Sequence, residues 1–462
     1  MVYDVVIIGS GPGGYVAALH AAHNGLRVAV VEREHLGGVC LNWGCIPTKA
    51  LLQSAHACDA IRNAADFGIR LGPIEVDMER VVGRSREVAG NMSKGVKFLL
   101  DRAKVEIIEG AGSLLSATEV KVLSADGVEQ VLKAKDIIIA TGARARAVPS
   151  LPVDGERIIA YREALSLGYR PDSMAIVGSG AIGCEMAEFY AALGTKVTLI
   201  EAQAQLMPLV DDDVASVVGR VFRRKKVKTM TSAMVQRVDV SDEGCVLHVE
   251  TKKGVEEIEA QVVLSAVGIQ PNTENLGLEA LGVEMDRGRI VTSLGGATNV
   301  PHVYAIGDVC TTPALAHVAS VEGAMAVDAI LGRELDASRM ANIPSCTYTT
   351  PEVASVGLTE RQLKEQGVEY FVGKFPFTAS GKATAMGHRD GFVKLLFRSD
   401  SRQLAGAHII GANATELIGE LCLALHYGST PEGIYETMHA HPTLSECVME
   451  AAAQADGVAH HV

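Results

Sequence analysis

The chain has 462 residues, of which 48% are hydrophobic and 47 are glycine, and its formal net charge at pH 7 is −13. This length allows several domains, and the composition is typical of a folded α/β enzyme rather than a disordered chain. Aromatic residues make up only 4% of the chain. Together with the negative charge, this low content argues against a nucleic-acid partner, which would need a basic surface with stacking side chains.

Residues 5–26 carry no Asp, Glu, Lys or Arg, which is also the pattern of a membrane span. Five glycines, one proline and two histidines inside this segment favour a buried strand, turn and helix instead. The nine cysteines are odd in number and scattered along the chain. We therefore expect no membrane partner, mostly reduced thiols and a cytoplasmic location.

Two copies of one nucleotide-binding signature dominate the sequence. In each copy an apolar strand leads into a GxGxxG loop, followed by a helix and a second strand that ends at an acid. The three glycines and the acid are Gly9, Gly11, Gly14 and Glu32 in the first copy, and Gly178, Gly180, Gly183 and Glu201 in the second. In dinucleotide folds such glycines let the backbone approach a pyrophosphate, and the acid binds the ribose hydroxyls. The alternative, glycines that serve only helix–strand packing, is disfavoured because both copies have the same spacing.

A cysteine pair, Cys40 and Cys45, follows the first signature. Pro47 suits the first turn of a helix that runs to about Ala60, which would place Cys45 at the helix N-terminus, where the dipole stabilises a thiolate. The alternatives are two buried thiols or half of a metal site, but no second cysteine or histidine pair nearby supports zinc. A disulfide exchanges two electrons readily with a flavin but offers nicotinamide no hydride acceptor. The first dinucleotide is therefore predicted to be FAD and the second NAD, with no metal.

Two further features bear on the cofactors. Ala202, Gln203 and Ala204 follow Glu201, so no arginine is present there to bind a 2′-phosphate, which favours NAD over NADP. Lys49 lies in the first turn of its predicted helix, where the macrodipole disfavours a cation unless an anionic group lies beside it. The alternative for Lys49 is an ordinary solvated lysine.

Near the C-terminus, the residues alone leave two interpretations of His441 and Glu446 open. Thr443 to Glu446 matches a capping box that would open a helix from Leu444 to Ala455, which makes His441 only a neighbour of the cap. Alternatively, the Glu446 carboxylate orients His441 as an acid–base group, the side chain suited to take a proton from a dithiol near neutral pH.

The same patterns divide the chain into domains. An apolar run at Ile137–Gly142 leads into a proline-containing linker at Ala143–Asp154, and a strand at Val303–Asp308 is expected to complete the first sheet. We predict an FAD-binding domain at 1–149, an NAD-binding domain at 150–270, a central domain at 271–342 that completes the FAD domain, and an α+β interface domain at 343–462.

Four motifs carry a family resemblance: GGVCLNWGCIPTK at 37–49, ATGA at 140–143, YAIGD at 304–308 and HPTLSE at 441–446. On these motifs the chain, from Met1 to about Asp456, resembles the class I flavoprotein disulfide reductases. The resemblance implies an α/β fold with two Rossmann-like dinucleotide-binding domains, for FAD and NAD, and a C-terminal α+β dimerisation domain. It therefore implies a homodimer. Trp43 departs from the pattern, because small or branched apolar residues are common at this position in the family.

The resemblance also implies roles for individual residues. Cys45 would face the flavin and Cys40 would exchange with the substrate, while His441, backed by Glu446, would act as the base at the disulfide of the second subunit. In the cofactor sites it implies Asp308 at the FAD ribitol, Lys49 paired with Glu185 near the flavin, and contributions from Thr141, Gly142 and Gly268.

The activity that the resemblance implies is the oxidation of protein-bound dihydrolipoamide to lipoamide with NAD+ as acceptor. Its partners would be a lipoyl domain and the E2 component of a 2-oxoacid dehydrogenase complex. Two alternatives remain: another FAD-dependent disulfide reductase that acts on a small thiol, and a redox-sensing flavoprotein that does not turn over.

Overall fold

The computed structural model describes residues 2–461. Met1 and Val462, at which the first and last predicted domains begin and end, lie outside the described residues. The strands are β1 (Val2–Ile8), β2 (Val28–Glu32), β3 (Glu106–Glu109), β4 (Ala111–Ser116), β5 (Glu119–Leu123), β6 (Glu129–Ile139), β7 (Ala143–Ala145), β8 (Ile158–Ile159), β9 (Ser173–Val177), β10 (Lys196–Ile200), β11 (Lys228–Met230), β12 (Met234–Ser241), β13 (Gly244–Thr251), β14 (Gly254–Ala260), β15 (Val262–Ser265), β16 (Ile269–Pro271), β17 (Met285–Asp286), β18 (Arg289–Ile290), β19 (Val303–Ala305), β20 (Ser345–Thr347), β21 (Glu352–Gly357), β22 (Tyr370–Pro376), β23 (Phe392–Arg398) and β24 (Leu404–Gly411).

The helices are α1 (Pro12–His23), α2 (Gly38–Trp43), α3 (Cys45–Arg62), α4 (Met78–Arg102), α5 (Tyr161–Ala164), α6 (Ala181–Ala192), α7 (Asp212–Arg224), α8 (Ala316–Ile330), α9 (Glu360–Glu365), α10 (Gly381–Met386), α11 (Ala414–His426), α12 (Pro431–Tyr435) and α13 (Glu446–Ala455). Short 3₁₀ turns lie at Ala64–Phe67, Glu279–Leu281, Gly307–Val309, Ala337–Met340 and Phe377–Ala379. Within residues 2–461, none of the helices combines the length and the apolar character that a transmembrane span requires.

The chain forms two compact units. The first unit comprises Met1–Leu51, Asp77–Ala147 and Gly268–Met340, and the second comprises Leu52–Val76, Val148–Val267 and Ala341–Val462.

The first unit is built on one mixed sheet with strand order β3-β2-β1-β6-β5-β4, and β19 also pairs with β6. β1 runs parallel to both β2 and β6, in a register that places Ile8 beside Val31 and Ile139. The middle of β1 is fully buried, as expected for a continuous apolar run inside a parallel sheet. The strand predicted at Val303 belongs to this sheet, because β19 runs parallel to β6.

The second unit contains two larger sheets and one small one. A parallel sheet has the order β11-β10-β9-β15-β8, and β12, β13 and β14 form an antiparallel meander. The third sheet is antiparallel, with the order β20-β21-β24-β23-β22. Its core includes Phe375, Phe397, Leu421 and Val448, so α11 and α13 bury their apolar sides with this sheet. The change after Asn342 to antiparallel strands and helices is the one that the sequence predicts.

Two local expectations are wrong. Ala143–Ala145, part of the predicted linker, forms β7, which runs antiparallel to β16. A strand of three residues is too short to leave a periodic pattern in the sequence. The C-terminal helix begins at Glu446 rather than at Leu444. Of the predicted capping box, the bond from the Thr443 amide to Glu446 Oε2 forms (2.8 Å), while the Thr443 hydroxyl donates to the Ala440 carbonyl (2.6 Å).

Candidate functional site

The first glycine loop has the geometry that a dinucleotide requires. Gly9 has a φ of +102°, and a Cβ on it would lie 2.3 Å from the Ala140 carbonyl oxygen. A Cβ on Gly14 would lie 2.0 Å from the Gly9 carbonyl oxygen, so the turn and the helix–strand contact both require glycine. Gly11 differs, since no heavy atom lies within 4 Å of an added Cβ. Gly11 is also the residue before α1, so no side chain there bonds to the first N–H groups of the helix. The uncapped N–H groups of α1 therefore fit a pyrophosphate.

The second glycine loop repeats these features in the second unit. Gly178 has a φ of +101°, and its added Cβ would lie 2.3 Å from the Ala266 carbonyl oxygen, while that of Gly183 would lie 1.9 Å from the Gly178 carbonyl oxygen. Gly180 again has no heavy atom within 4 Å of an added Cβ and caps α6 without a side-chain bond. The two loops are thus equivalent in backbone geometry as well as in sequence.

The acid at the end of each second strand holds its glycine loop in place. Glu32 Oε2 accepts hydrogen bonds from Ser10 N (2.9 Å) and Ser10 Oγ (2.6 Å). Glu201 Oε2 accepts the same pair of bonds from Ser179, at 2.9 Å and 2.7 Å. A carboxylate has lone pairs for further donors, so both acids can also accept ribose hydroxyls. Neither serine was predicted as a partner of its acid, although the occurrence of a serine at the same place in both loops was a usable signal.

Asp308 lies in the 3₁₀ turn after β19, and its place at a cofactor stays a prediction. Burial raises the pKa of the Asp308 carboxyl, and the charge of Arg289 opposes this effect. Among the described residues no donor bonds to the carboxylate, so it fits a cofactor hydroxyl. The neighbouring Gly307 amide donates to Glu322 Oε2 (2.7 Å), a buried acid on α8 that the sequence analysis did not identify.

Thr141 and Gly142 follow β6, and Gly268 lies at the equivalent place after β15. The Thr141 hydroxyl donates to the Asn272 carbonyl (2.8 Å), and Asn272 Nδ2 donates back to the Thr141 carbonyl (2.9 Å). Gly142 and Gly268 have φ values of +67° and +112°, and neither has a heavy atom within 4 Å of an added Cβ. These turns are open on one side, as expected of residues that line a ligand site.

Cys40 and Cys45 are free thiols in this structure, and Cys45 is the first residue of α3, as predicted. Cys40 is half-buried and Cys45 is exposed. The pKa of Cys40 is raised, first by its hydrogen bond with Cys45 and then by burial, while the charge of Lys49 lowers it. The two side chains therefore interact directly, which the alternative of unrelated buried thiols does not explain.

Lys49 and Glu185, the pair predicted near the flavin, lie on α3 and α6. Glu185 is 4% exposed, and its Oε1 accepts a hydrogen bond from the Tyr348 amide (3.0 Å). A buried carboxylate needs partners, and the Tyr348 amide is one of them. Its pairing with Lys49 stays a prediction.

His441 and Glu446 form a hydrogen-bonded pair. His441 Nδ1 lies 2.8 Å from Glu446 Oε1, and the Thr443 amide donates to Glu446 Oε2 (2.8 Å). Burial raises the pKa of Glu446, but the Thr443 amide and His441 outweigh it, and the pKa lies below its ordinary value. Because Nδ1 faces a carboxylate, it carries the proton of the neutral ring, which leaves Nε2 free to accept one.

One cluster of carboxylates outside this site resembles a metal site. Asp211, Asp213 and Glu360 each place an oxygen close to the others. Lys394 Nζ lies between them, at 2.8 Å, 3.0 Å and 2.5 Å from the three carboxylates. The cluster is therefore an ion-pair network and gives no argument for a metal.

Comparison with known proteins identifies the family. Residues 3–323 match the family described as pyridine nucleotide-disulphide oxidoreductase, and residues 343–452 match the dimerisation domain of that family. Among curated relatives, a dihydrolipoyl dehydrogenase of Zymomonas mobilis is 44% identical over 99% of both chains. Another dihydrolipoyl dehydrogenase, of Chlorobaculum parvum, is 47% identical over 97% of this chain and 96% of the relative. Among solved structures, LpdA from Mycobacterium tuberculosis has a TM-score of 0.91 at 29% identity, covering 97% of this chain and 98% of that one.

These matches confirm the predicted family and fold class, and the dimerisation domain supports the predicted homodimer. The chain belongs to the pyridine nucleotide-disulphide oxidoreductase family.

Proposed function

We propose that this chain is an NAD-dependent enzyme that oxidises protein-bound dihydrolipoamide to lipoamide, with FAD as its second cofactor. The observation that carries the proposal is the pair of equivalent glycine loops, each with its acid, together with a thiol pair at the start of α3. The full-length similarity to relatives named dihydrolipoyl dehydrogenase supports the choice of substrate.

In this proposal, the protein's own residues exchange a disulfide with the substrate. Cys40 and Cys45 form the redox disulfide. One thiolate of the substrate attacks Cys40 and releases Cys45 as a thiolate. The second thiol of the substrate then attacks the mixed disulfide, which releases lipoamide and the Cys40 thiol. His441 Nε2 takes the proton of the substrate thiol, and the Glu446 carboxylate holds the ring and stabilises the cation that forms. Bound FAD would supply two-electron acceptor chemistry between the dithiol of the protein and NAD+.

The remaining site residues bind and orient the cofactors. We propose that Gly9, Gly11, Gly14, Glu32 and Asp308 hold FAD, while Gly178, Gly180, Gly183 and Glu201 hold NAD. Lys49 and Glu185 pair near the flavin, and Thr141, Gly142 and Gly268 line the cofactor sites. The uncapped helix N-termini, the unbonded Asp308 carboxylate and the positive-φ glycines support these assignments.

The complete site requires two copies of the chain. We propose that His441 and Glu446 serve the Cys40–Cys45 pair of a second copy. The His441 side chain is 80% exposed in the single chain, which suits a base whose reaction partner lies on another subunit. The four proposed domains keep the boundaries 1–149, 150–270, 271–342 and 343–462.

We further propose that the physiological partners are a lipoyl domain and the E2 component of a 2-oxoacid dehydrogenase complex. A dithiol substrate on a lipoyl domain needs an accessible base, and His441 is exposed. We also propose a cytoplasmic location, because nine cysteines, an odd number scattered along the chain, suit a reducing compartment.

The test is a comparison of two assays on the purified, FAD-loaded dimer. We expect NADH production with dihydrolipoamide and little NADPH consumption with glutathione disulfide. Cys45→Ser should abolish lipoamide turnover but keep FAD bound, and Cys58→Ser, a buried cysteine outside the pair, is the matched control. Turnover of glutathione disulfide in preference to lipoamide would instead support the small-thiol alternative, and no turnover of either would support a sensor.

A further inference from the structure

Helix α4 holds the segment that carries the two cysteines. We call residues 36–50 the redox segment. Three consecutive side chains of α4 and one further along donate hydrogen bonds to its backbone carbonyls. The pairs are Arg84 Nη1 to Ala50 (2.8 Å), Ser85 Oγ to Pro47 (2.9 Å), Arg86 Nη1 to Asn42 (2.7 Å) and Ser93 Oγ to Leu36. One helix thus fixes four points along the backbone of the redox segment.

Arg86 is the unusual member of this set. Its Cζ lies 4.6 Å from the centroid of the Trp43 ring, and burial lowers the pKa of its guanidinium. Within the described chain, Arg86 Nε and Nη2 are buried without a hydrogen-bond partner, and no carboxylate forms an ion pair with Arg86. A buried cation without a counter-ion is costly. The face of the Trp43 ring compensates part of this cost, because an indole ring attracts a cation most strongly when both are shielded from water.

The Arg86–Trp43 contact lies at the turn between the two cysteines. Trp43 ends α2, Gly44 forms the turn, and Cys45 begins α3. An added Cβ on Gly44 would lie 3.1 Å from the Val39 carbonyl oxygen and 3.3 Å from Cys40 Cα. The turn therefore folds closely against Cys40. Arg86 bonds to the Asn42 carbonyl and stacks on the Trp43 ring, so it contacts the two residues that precede the Gly44 turn.

We propose that Arg86 and Trp43 form a clamp that keeps the turn in the geometry that favours the Cys40–Cys45 disulfide, and so sets the redox equilibrium of the pair. They are positioning residues, and the proposal rests on the redox role of the cysteines given under the proposed function. On reduction the S–S bond breaks, two electrons enter, and two protons are taken up by the two sulfurs. A turn that holds the sulfurs close stabilises the oxidised form, since little freedom is lost when the bond closes.

A purely electrostatic role for Arg86 would shift the redox equilibrium of the cysteine pair in the opposite direction. Lys49 already lowers the pKa of Cys40, and Arg84 is a further cation on α4. If Arg86 acted mainly as another cation, it would stabilise thiolates, and its removal would make the disulfide harder to reduce. A clamp predicts that removal of Arg86 makes the disulfide easier to reduce, because a loosened turn lets the two thiols move apart.

The test measures the redox equilibrium directly, without using enzyme activity. The FAD-bound protein is equilibrated in mixtures of reduced and oxidised dithiothreitol, quenched with an alkylating agent, and the peptide that carries Cys40 and Cys45 is quantified by mass spectrometry. Arg86→Gln and Trp43→Leu should each make the pair easier to reduce, by about tenfold in the equilibrium constant, which is about 30 mV. The double variant should shift little further than either single variant, because both remove the same clamp.

Arg80→Gln is the matched control, since Arg80 is an exposed arginine of α4 that pairs with Glu87 (2.9 Å). We expect its redox equilibrium to equal that of the unmodified protein. If Arg86→Gln does not fold, as judged by circular dichroism, Arg86→Lys replaces it and should give a smaller shift of the same sign. An unchanged equilibrium, or a pair that becomes harder to reduce, would overturn the clamp. If the peptide shows no redox transition in the unmodified protein, the proposed disulfide itself is wrong and the clamp with it.

Discussion

His439 Nε2 lies 2.8 Å from Glu420 Oε1. The other ring nitrogen, Nδ1, lies 2.7 Å from the Thr437 carbonyl oxygen, so both nitrogens face acceptors. Both can donate only in the doubly protonated ring. The hydrogen bond with Glu420 raises the pKa of His439, although burial opposes it. The cationic form of His439, two residues before the proposed base, is therefore favoured over that of an ordinary histidine.

Removal of the Glu420 charge should lower the pKa of His439. We expect Glu420→Gln to lower the pKa of His439 toward its ordinary value, measured by NMR on protein with 13C-labelled histidine. The ion pair stabilises the fold fully below about pH 6.5, and this contribution is lost as the pH rises through the raised pKa of the folded state. His439→Gln should thus cost about 1.5–3 kcal/mol at pH 6 and less at pH 9, by urea unfolding. Equal losses at both pH values would contradict the assignment.

Lys394 is a buried cation whose loss should destabilise the second unit. Lys394 is 1% exposed, and its three partners are Asp211, Asp213 and Glu360. Lys394→Met would leave Asp211 buried without its counter-ion, which should cost about 3–5 kcal/mol in urea unfolding. Lys364→Met is the matched control, because Lys364 is exposed and lies 3.8 Å from Glu360, and it should change stability little.

The effect of Lys394→Met should depend on pH. Burial raises the pKa of each of the three carboxylates, but hydrogen bonds outweigh it, and each pKa lies below its ordinary value. Lys394 bonds to all three, Lys374 also bonds to Asp213, and Tyr370 also bonds to Glu360. Their contribution is therefore present at neutral pH and lost as the pH falls through the lowered pKa values. The stability difference between the unmodified protein and Lys394→Met should shrink in acid. A difference that stays constant from pH 7 to pH 4 would show that charge pairing is not its cause.

The features that the sequence predicts are those with local causes. Gly9 and Gly178 are recognisable because their positive φ and the adjacent backbone exclude any side chain. The bonds from Ser10 to Glu32 and from Arg86 to the redox segment join residues that are distant in the chain. Such contacts leave no periodic pattern in one sequence. The same reason explains why the Lys394 network and the short β7–β16 pairing were not predicted.

The nucleotide preference should follow the end of β10. Glu201→Arg combined with Ala202→Arg should favour NADP over NAD by tenfold or more, about 1.4–3 kcal/mol, because arginines can bind the 2′-phosphate that the carboxylate repels. The measurement is the ratio of kcat/KM for the two nucleotides. Since Glu201 also holds Ser179, the double variant should lose efficiency with both nucleotides.

Ser179→Ala separates the two roles of Glu201. It removes one anchor bond of the glycine loop and leaves the carboxylate in place, so it should weaken both nucleotides alike and keep their ratio. Ala202→Arg alone keeps the anchor and should give a smaller change of preference. An unchanged ratio in the double variant would mean that Glu201 does not lie at the ribose.

The last prediction concerns His441, for which the sequence left two interpretations open. As the base, His441→Gln should lower dihydrolipoamide oxidation by about 10²- to 10⁴-fold, because glutamine cannot take the thiol proton. Glu446→Gln should lower the rate of dihydrolipoamide oxidation less than His441→Gln does. The His441 ring keeps its Nε2 and loses only the orienting charge at Nδ1. His426→Gln, on α11, is the matched control and should retain activity. Turnover of His441→Gln within a few-fold of the unmodified enzyme would leave His441 as a neighbour of the helix start only.

Mixed dimers test whether the site is shared between subunits. Cys45→Ser and His441→Gln subunits are each expected to be inactive as homodimers. A heterodimer of the two would combine the intact disulfide of the His441→Gln subunit with the intact histidine of the Cys45→Ser subunit, so partial turnover should return. Two affinity tags purify the heterodimer and prove that it formed. If the purified heterodimer stays inactive while both subunits retain FAD, the histidine serves its own chain, and the shared site is wrong.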